Sequence, residues 1–260
     1  MPIFNRRTSW NILPVAILGT LWLFGRVPAH AQPTALTQGD ITKPQIALVF
    51  TGHEYADGGR HIRQVLREQK VPGSFFFTGI FYERYAPLVQ QLKADGHYLG
   101  AHSDQHLLYA PWAKRDSLLV TRDSFLHDLN ANYAKMEKLG IDRAAAPYFL
   151  PPFEWYNDSI VQWTAAAGLQ LINMTYGTLS NADYTTPDML NYRSSERIFQ
   201  SILNHEAAQE SGLNGFLLLL HIGTDPARTD KFYLHLEALT VELRKRGYRL
   251  VTLQELFQND

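Results

Sequence analysis

Cysteine is absent from all 260 residues. That excludes disulfides, thiolate nucleophiles and thiolate metal sites. Charge of one sign is lacking too: 24 basic against 25 acidic side chains give a formal net charge of −1. Nothing in that balance forms an electrostatic footprint for nucleic acid. Long apolar runs are missing apart from residues 13–24, which Gly19 and Thr20 interrupt, and that run is short for a spanning helix. No low-complexity tract or short-period repeat is present. What remains is an ordinary globular balance, 45% hydrophobic and 19% charged, enough for one sizeable core.

The first 31 residues read as a processing signal. Arg6 and Arg7 form a basic start, residues 13–24 an apolar centre, and Ala29-His30-Ala31 a small-residue cleavage site. Cleavage is expected after Ala31, by the Sec route despite the paired arginines. The remaining chain would carry a net charge of about −4 and reside in the periplasm or outside the cell, with no membrane contact beyond the signal peptide. Residues 32–44 are polar, hold two prolines, and read as a linker. Residues 45–260 form the folded domain.

Within that domain strands and helices alternate. Strands are expected at 46–50, 74–78, 98–101, 147–150, 171–174, 215–220 and 249–252. Helices are expected near 59–68, 85–95, 121–136, 157–167, 195–210 and 229–246, from apolar spacing and from Thr121, Asn157 and Thr229 as caps. The joints DGHYLGAH, AGLQLINMT and RGYRLVTL each run helix, glycine, strand. The strands are continuously apolar rather than alternating, so both faces are covered, as in a parallel sheet. The expected fold is α/β, an incomplete (β/α)7-type barrel, with an open doubly wound sheet as the alternative.

Chemistry in such folds collects at the C-terminal ends of strands. Strand one runs into Thr51-Gly52-His53-Glu54-Tyr55-Ala56-Asp57, strand three into His102-Ser103-Asp104-Gln105-His106, strand four into Pro151-Pro152-Phe153-Glu154-Trp155, and the leucine strand into His221. His102 and His106 can face one point but cannot close a catalytic metal site alone, which takes three protein ligands. His53 is the candidate third. A His₃ set suits Zn²⁺, with Co²⁺, Ni²⁺ or Fe²⁺ as alternatives. Glu54 is the candidate general base, with Asp57 and Glu154 as rivals; Asp57 also reads as a cap for the first helix. His221 is the candidate acid or base. The other histidines of the domain, 61, 97, 127, 205 and 235, read as surface. These parts fit hydrolysis of an acyl bond without choosing among amide, ester and phosphoester.

With these residues the layout resembles the NodB-type polysaccharide deacetylases, carbohydrate esterase family 4. His102-Ser103-Asp104-Gln105-His106 matches the family's His-Ser-x-x-His motif. Leu219-Leu220-His221 matches its Leu-Leu-His strand end, and Leu150-Pro151-Pro152-Phe153 partly matches its Arg-Pro-Pro-Tyr stretch. The resemblance implies an incomplete (β/α) barrel, one divalent metal ion, and removal of N- or O-acetyl groups from a glycan. By the same resemblance the Phe153 backbone N–H meets the oxyanion. Pro152, Phe153, Trp155 and Asp225 are the expected sugar-contacting residues. An acetylated glycan is the expected partner; no protein partner is indicated.

The first motif departs from the family. In place of Thr-Phe-Asp-Asp-Gly the chain reads Val49-Phe50-Thr51-Gly52-His53, and the arginine that orients the base is Leu150. Base and orienting partner are missing together. Either the loop is shifted, so that His53 replaces the metal-binding Asp and Glu54 the base, or the chain is an inactive carbohydrate-binding relative. A zinc amidase or esterase on a non-sugar substrate is a further alternative.

Overall fold

The computed structural model describes Met1 and residues 32–258; the expected signal peptide and its cleavage site lie outside the described residues. The sheet is parallel throughout. Its strands are β1 (Gln45–Gly52), β2 (Gly73–Phe77), β3 (Tyr98–Ala101), β4 (Tyr148–Phe149), β5 (Gln170–Leu171), β6 (Phe216–His221) and β7 (Arg249–Leu250), in the order β5-β4-β3-β2-β1-β6, with β7 on the start of β1. The helices are α1 (Gly59–Gln69), α2 (Gly79–Arg84), α3 (Ala86–Ala94), α4 (Arg122–Lys138), α5 (Asp158–Ala166), α6 (Ser195–Ala208), α7 (Leu236–Lys245) and α8 (Leu253–Phe257).

The apolar strands feed two cores because successive side chains leave a strand on opposite faces. Ile46, Leu48 and Phe50 of β1 join Phe216, Leu218 and Leu220 of β6 beneath the helices. Ala47 and Val49 join Leu217, Leu219, Phe76, Leu150 and Ile172 inside the curl of the sheet, with Leu253 and Leu256 of α8 in the same cluster. This is the incomplete barrel that the alternation predicts, with both faces of each central strand buried.

Residues 32–44 do not behave as a free linker. Leu36 forms a parallel bridge with Ile172 beyond β5, and the Gly39 N–H donates to Gly215 O at 2.7 Å ahead of β6. Thr175 adds to the seam: its N–H donates to Leu217 O, and its hydroxyl donates to Thr37 O while accepting from the Leu217 N–H. The segment thus spans the gap between β5 and β6. Its polar composition hides this role, because the contacts are made by backbone.

Two short helices, α2 and α8, are unannounced in the sequence. Thr78 caps α2 by accepting from the Phe81 N–H. The Thr121 and Asn157 caps form as expected, Thr121 in a reciprocal capping box with Ser124. Thr229 caps nothing: the chain first makes a 3₁₀ turn, Phe232–His235, before α7 begins. Asp57 does not cap α1 either; its carboxylate is held across the cleft by the Thr224 N–H, Lys231 and Tyr233.

Strand register decides where the site lies. Thr51 pairs with His221, Gly52 with Phe77, Phe77 with Ala101 and Ala101 with Phe149. The residues that follow these pairs therefore emerge side by side at one end of the sheet.

Candidate active site

At that end lies a cleft of about 580 Å³. Thr51, His53, Glu54, His102, His106, Glu154, His221 and Asp225 are among the residues that line it. Trp112, Phe153, Tyr184 and Met189 supply apolar walls.

His102 leaves β3 fully enclosed, its N–H held by Phe77 O and Asn132 Oδ1. Its Nδ1 donates to Leu150 O at 2.8 Å, which leaves the lone pair on Nε2. Burial pushes its pKa down to about 3, against the Leu150 bond. His106 is reached by a tight loop, not a helix. Ser103 and His106 both take left-handed backbone, φ +66° and +57°, and the Ser103 hydroxyl accepts from the His106 N–H at 2.8 Å. Asp128 accepts from the N–H groups of Asp104 and Gln105. Burial holds His106 down to about 2. His53 shares a 3.1 Å hydrogen bond with Thr78, and burial lowers its pKa as well. All three imidazoles are neutral near pH 7.

His221 is the counterpoint. Its N–H and Nδ1–H donate to the two oxygens of Asp183, at 2.9 and 2.6 Å. Burial would lower its pKa, but the Asp183 carboxylate, with Glu154 adding to it, raises it overall. Asp183 sits enclosed in the 3₁₀ turn Ser180–Tyr184. Nothing local in the sequence marks that turn, since the partnership spans 38 positions. The loop that follows is pinned by Arg228, fully buried, which donates to Thr185 O, Arg193 O and the Ser195 hydroxyl.

Glu154 follows Phe153 in a turn where both residues are left-handed, φ +53° and +60°. Its side chain is buried and lines the cleft, and burial raises its pKa to about 7, with His221 pulling the other way. Glu54 is exposed at the rim. Asp225 lines the cleft and accepts from the Tyr55 hydroxyl at 3.0 Å. Among the described residues the buried Thr51 hydroxyl has no hydrogen-bond partner.

Two expected sugar contacts are placed differently. Trp155 stands behind the wall: it packs on Trp112 at 5.5 Å and under the Arg115 guanidinium at 4.4 Å, and Trp112 faces the cleft instead. Pro152 is buried and opens the turn rather than lining the cleft. His97, read as surface, is half-buried, because it accepts the Gly73 N–H and its ring packs on Phe75.

The imidazoles fit a divalent cation in kind. They are neutral, and a bonded Nδ1–H leaving Nε2 free is what metal-ligating histidines show. They do not fit in geometry. His53 lies flat on His106, 4.6 Å between ring centroids and 14° between planes. Lone pairs lie in the ring plane, so an ion about 2.1 Å from both nitrogens would sit outside both planes. Among the described residues no group of three or more His, Asp or Glu side chains is placed to hold a metal ion. The structure thus brings His53, His102 and His106 to one cleft without joining them as a converging set.

Comparison with known proteins agrees with this fold. The polysaccharide deacetylase family model matches residues 38–172, and the chain belongs to that family. A peptidoglycan-N-acetylglucosamine deacetylase of Bacillus cereus is 27% identical over 230 residues, covering 87% of this chain and 95% of the relative. A chitooligosaccharide deacetylase of Sinorhizobium fredii is 24% identical over 220 residues, 82% and 91% of the two chains. Among solved structures, a peptidoglycan N-acetylglucosamine deacetylase superposes with a TM-score of 0.71 at 18% identity, over 88% of this chain and 94% of that one. A family 4 carbohydrate esterase pseudoenzyme from Bacillus anthracis does so at 0.68 and 15%, over 88% and 70%. At these identities the superpositions establish the fold.

Proposed function

We propose that the chain is an exported hydrolase that removes acetyl groups from a glycan of acetylated sugars, the substrate class of its named relatives. The observation that carries this reading is His221, held by both oxygens of Asp183 in an aromatic-walled cleft. The carboxylate fixes the imidazole tautomer with Nδ1 protonated and favours the charged ring. His221 can then hand a proton to the departing amine or alkoxide. The Phe153 backbone is the group offered to the acetyl oxygen. Among the described residues the imidazoles do not converge as a metal-binding set; zinc is the ion their donor chemistry suits best. Export rests on the basic, apolar and small-residue pattern of residues 1–31.

The test is acetate release by the exported protein from N-acetylglucosamine oligomers, peptidoglycan and acetylated xylan, beside His221→Ala. Acetate from the parent, lost in the variant, supports the reading. A second reading, a carbohydrate-binding relative without turnover, is favoured by the missing strand-one carboxylates and the unconverged imidazoles. It predicts oligosaccharide binding with no acetate released.

A further inference from the structure

Hydrolysis of an acetyl group needs a proton acceptor for the attacking water, and strand one carries none. Thr51 and Gly52 stand where the family has its two acids. Gly52 leaves no room for one: a Cβ there would meet Ile222, Phe77 and Phe81 at 2.8–2.9 Å.

The carboxylates around the cleft are already committed, with two exceptions. Asp57 is tied to Lys231, Tyr233 and the Thr224 N–H. Asp183 gives both oxygens to His221. Asp225 accepts from Tyr55 and from the Ala227 N–H. Glu54 is exposed, and the Tyr85 hydroxyl holds its backbone carbonyl at the rim. Glu154 is buried and lines the cleft, and among the described residues its carboxyl makes no hydrogen bond or ion pair.

Its backbone points the same way. Two consecutive non-glycine residues in the left-handed region are costly and persist where surrounding structure enforces them, most often at functional sites. Here the enforcement is visible: Asn173 donates to Glu154 O at 2.9 Å, and the Glu154 N–H donates to Pro151 O. A glycine would relieve the conformation, yet the position carries a carboxylate.

We infer that Glu154 is the carboxylate that accepts the attacking water's proton, an inference that rests on the acetyl-hydrolase reading above. The balance is simple. The water oxygen forms a bond to the acetyl carbon as its proton passes to Glu154. The bond from the acetyl carbon to the sugar's nitrogen or oxygen then breaks as His221 gives its proton to that leaving atom. Acetate departs, and the Glu154 proton returns to solvent or to His221. Glu154 and His221 flank the same space, close enough for each to shift the other's titration.

The experiment compares the parent with Glu154→Gln, Glu154→Gly and Glu54→Gln in acetate release from the same three substrates. Glu154→Gln keeps the side-chain size, and Glu154→Gly suits φ +53°, so both are expected to fold. Both should lose roughly 100-fold or more in kcat, with KM changed only a few-fold; Glu54→Gln should lose far less. Parent-like kcat in Glu154→Gln, or a large loss in Glu54→Gln alone, overturns the inference and leaves the acetyl-hydrolase reading standing. No acetate from the parent on any of the three overturns that reading, and this inference with it.

Discussion

The ring of His53 lies flat on the ring of His106, 14° from parallel, while His102 faces His106 at 57°. The first pair is stacked and the second is tilted, 5.1 Å between centroids. That difference separates a two-imidazole site from a three-imidazole one.

Zinc offered to the metal-free protein is therefore expected to bind weakly and to be stripped by a chelator. His102→Ala should abolish what binding there is, and His53→Ala should leave it unchanged. Calorimetry with zinc alone checks this. Tight one-to-one binding, lost in both variants, would show that the stacked rings turn to make a third bond.

The buried Glu154 carboxyl should make stability depend on pH in a recognisable direction. Its pKa rises from 4.5 to about 7 on folding, so the folded state holds its proton more tightly than the unfolded one. Stability is then lost as pH rises from 4.5 to 7, by about 3 kcal/mol in full. Glu154→Gln removes this dependence. In chelator, its stability relative to the parent should climb by a comparable amount across that range in urea unfolding; parallel curves for parent and variant would contradict the shift.

Asp183→Asn should cost roughly 100-fold to 10,000-fold in kcat, as removing the carboxylate that orients a catalytic imidazole does. It should also move the alkaline limb of the rate profile to lower pH, because the Asp183 carboxylate raises the His221 pKa. An unmoved limb would mean that His221 is not the group whose proton is given.

Trp112 is 58% exposed on the cleft wall, edge-on to Phe153. An exposed indole contributes little to folding but offers a flat apolar face to a sugar. Trp112→Ala should raise KM for N-acetylglucosamine oligomers several-fold and leave the melting temperature within a degree or two. The same substitution at Trp155, which packs behind it, should lower the melting temperature as well.

Much of the architecture was legible because it is written in local periodicity. The apolar runs at 46–50, 98–101 and 215–220 became β1, β3 and β6, and Thr121 and Asn157 capped the helices they preceded. The segment 32–44 was not legible, since it joins the sheet through backbone bonds that any polar sequence can make. Trp112 was missed because it comes from a loop far from any strand end, and Trp155 was over-read because it follows one.

The sequence by itself determined the strand-end histidines, the missing strand-one acids and the family's motif spacing, all of which depend on residues near one another in the chain. Only the tertiary structure decided that Asp183 serves His221, that Asp57 belongs to Lys231, and that the Glu154 carboxyl is buried beside them with no partner among the described residues. Each is a pairing, or the lack of one, across long stretches of chain, and residue types alone do not encode which polar groups the sheet's curl brings together or leaves unpaired.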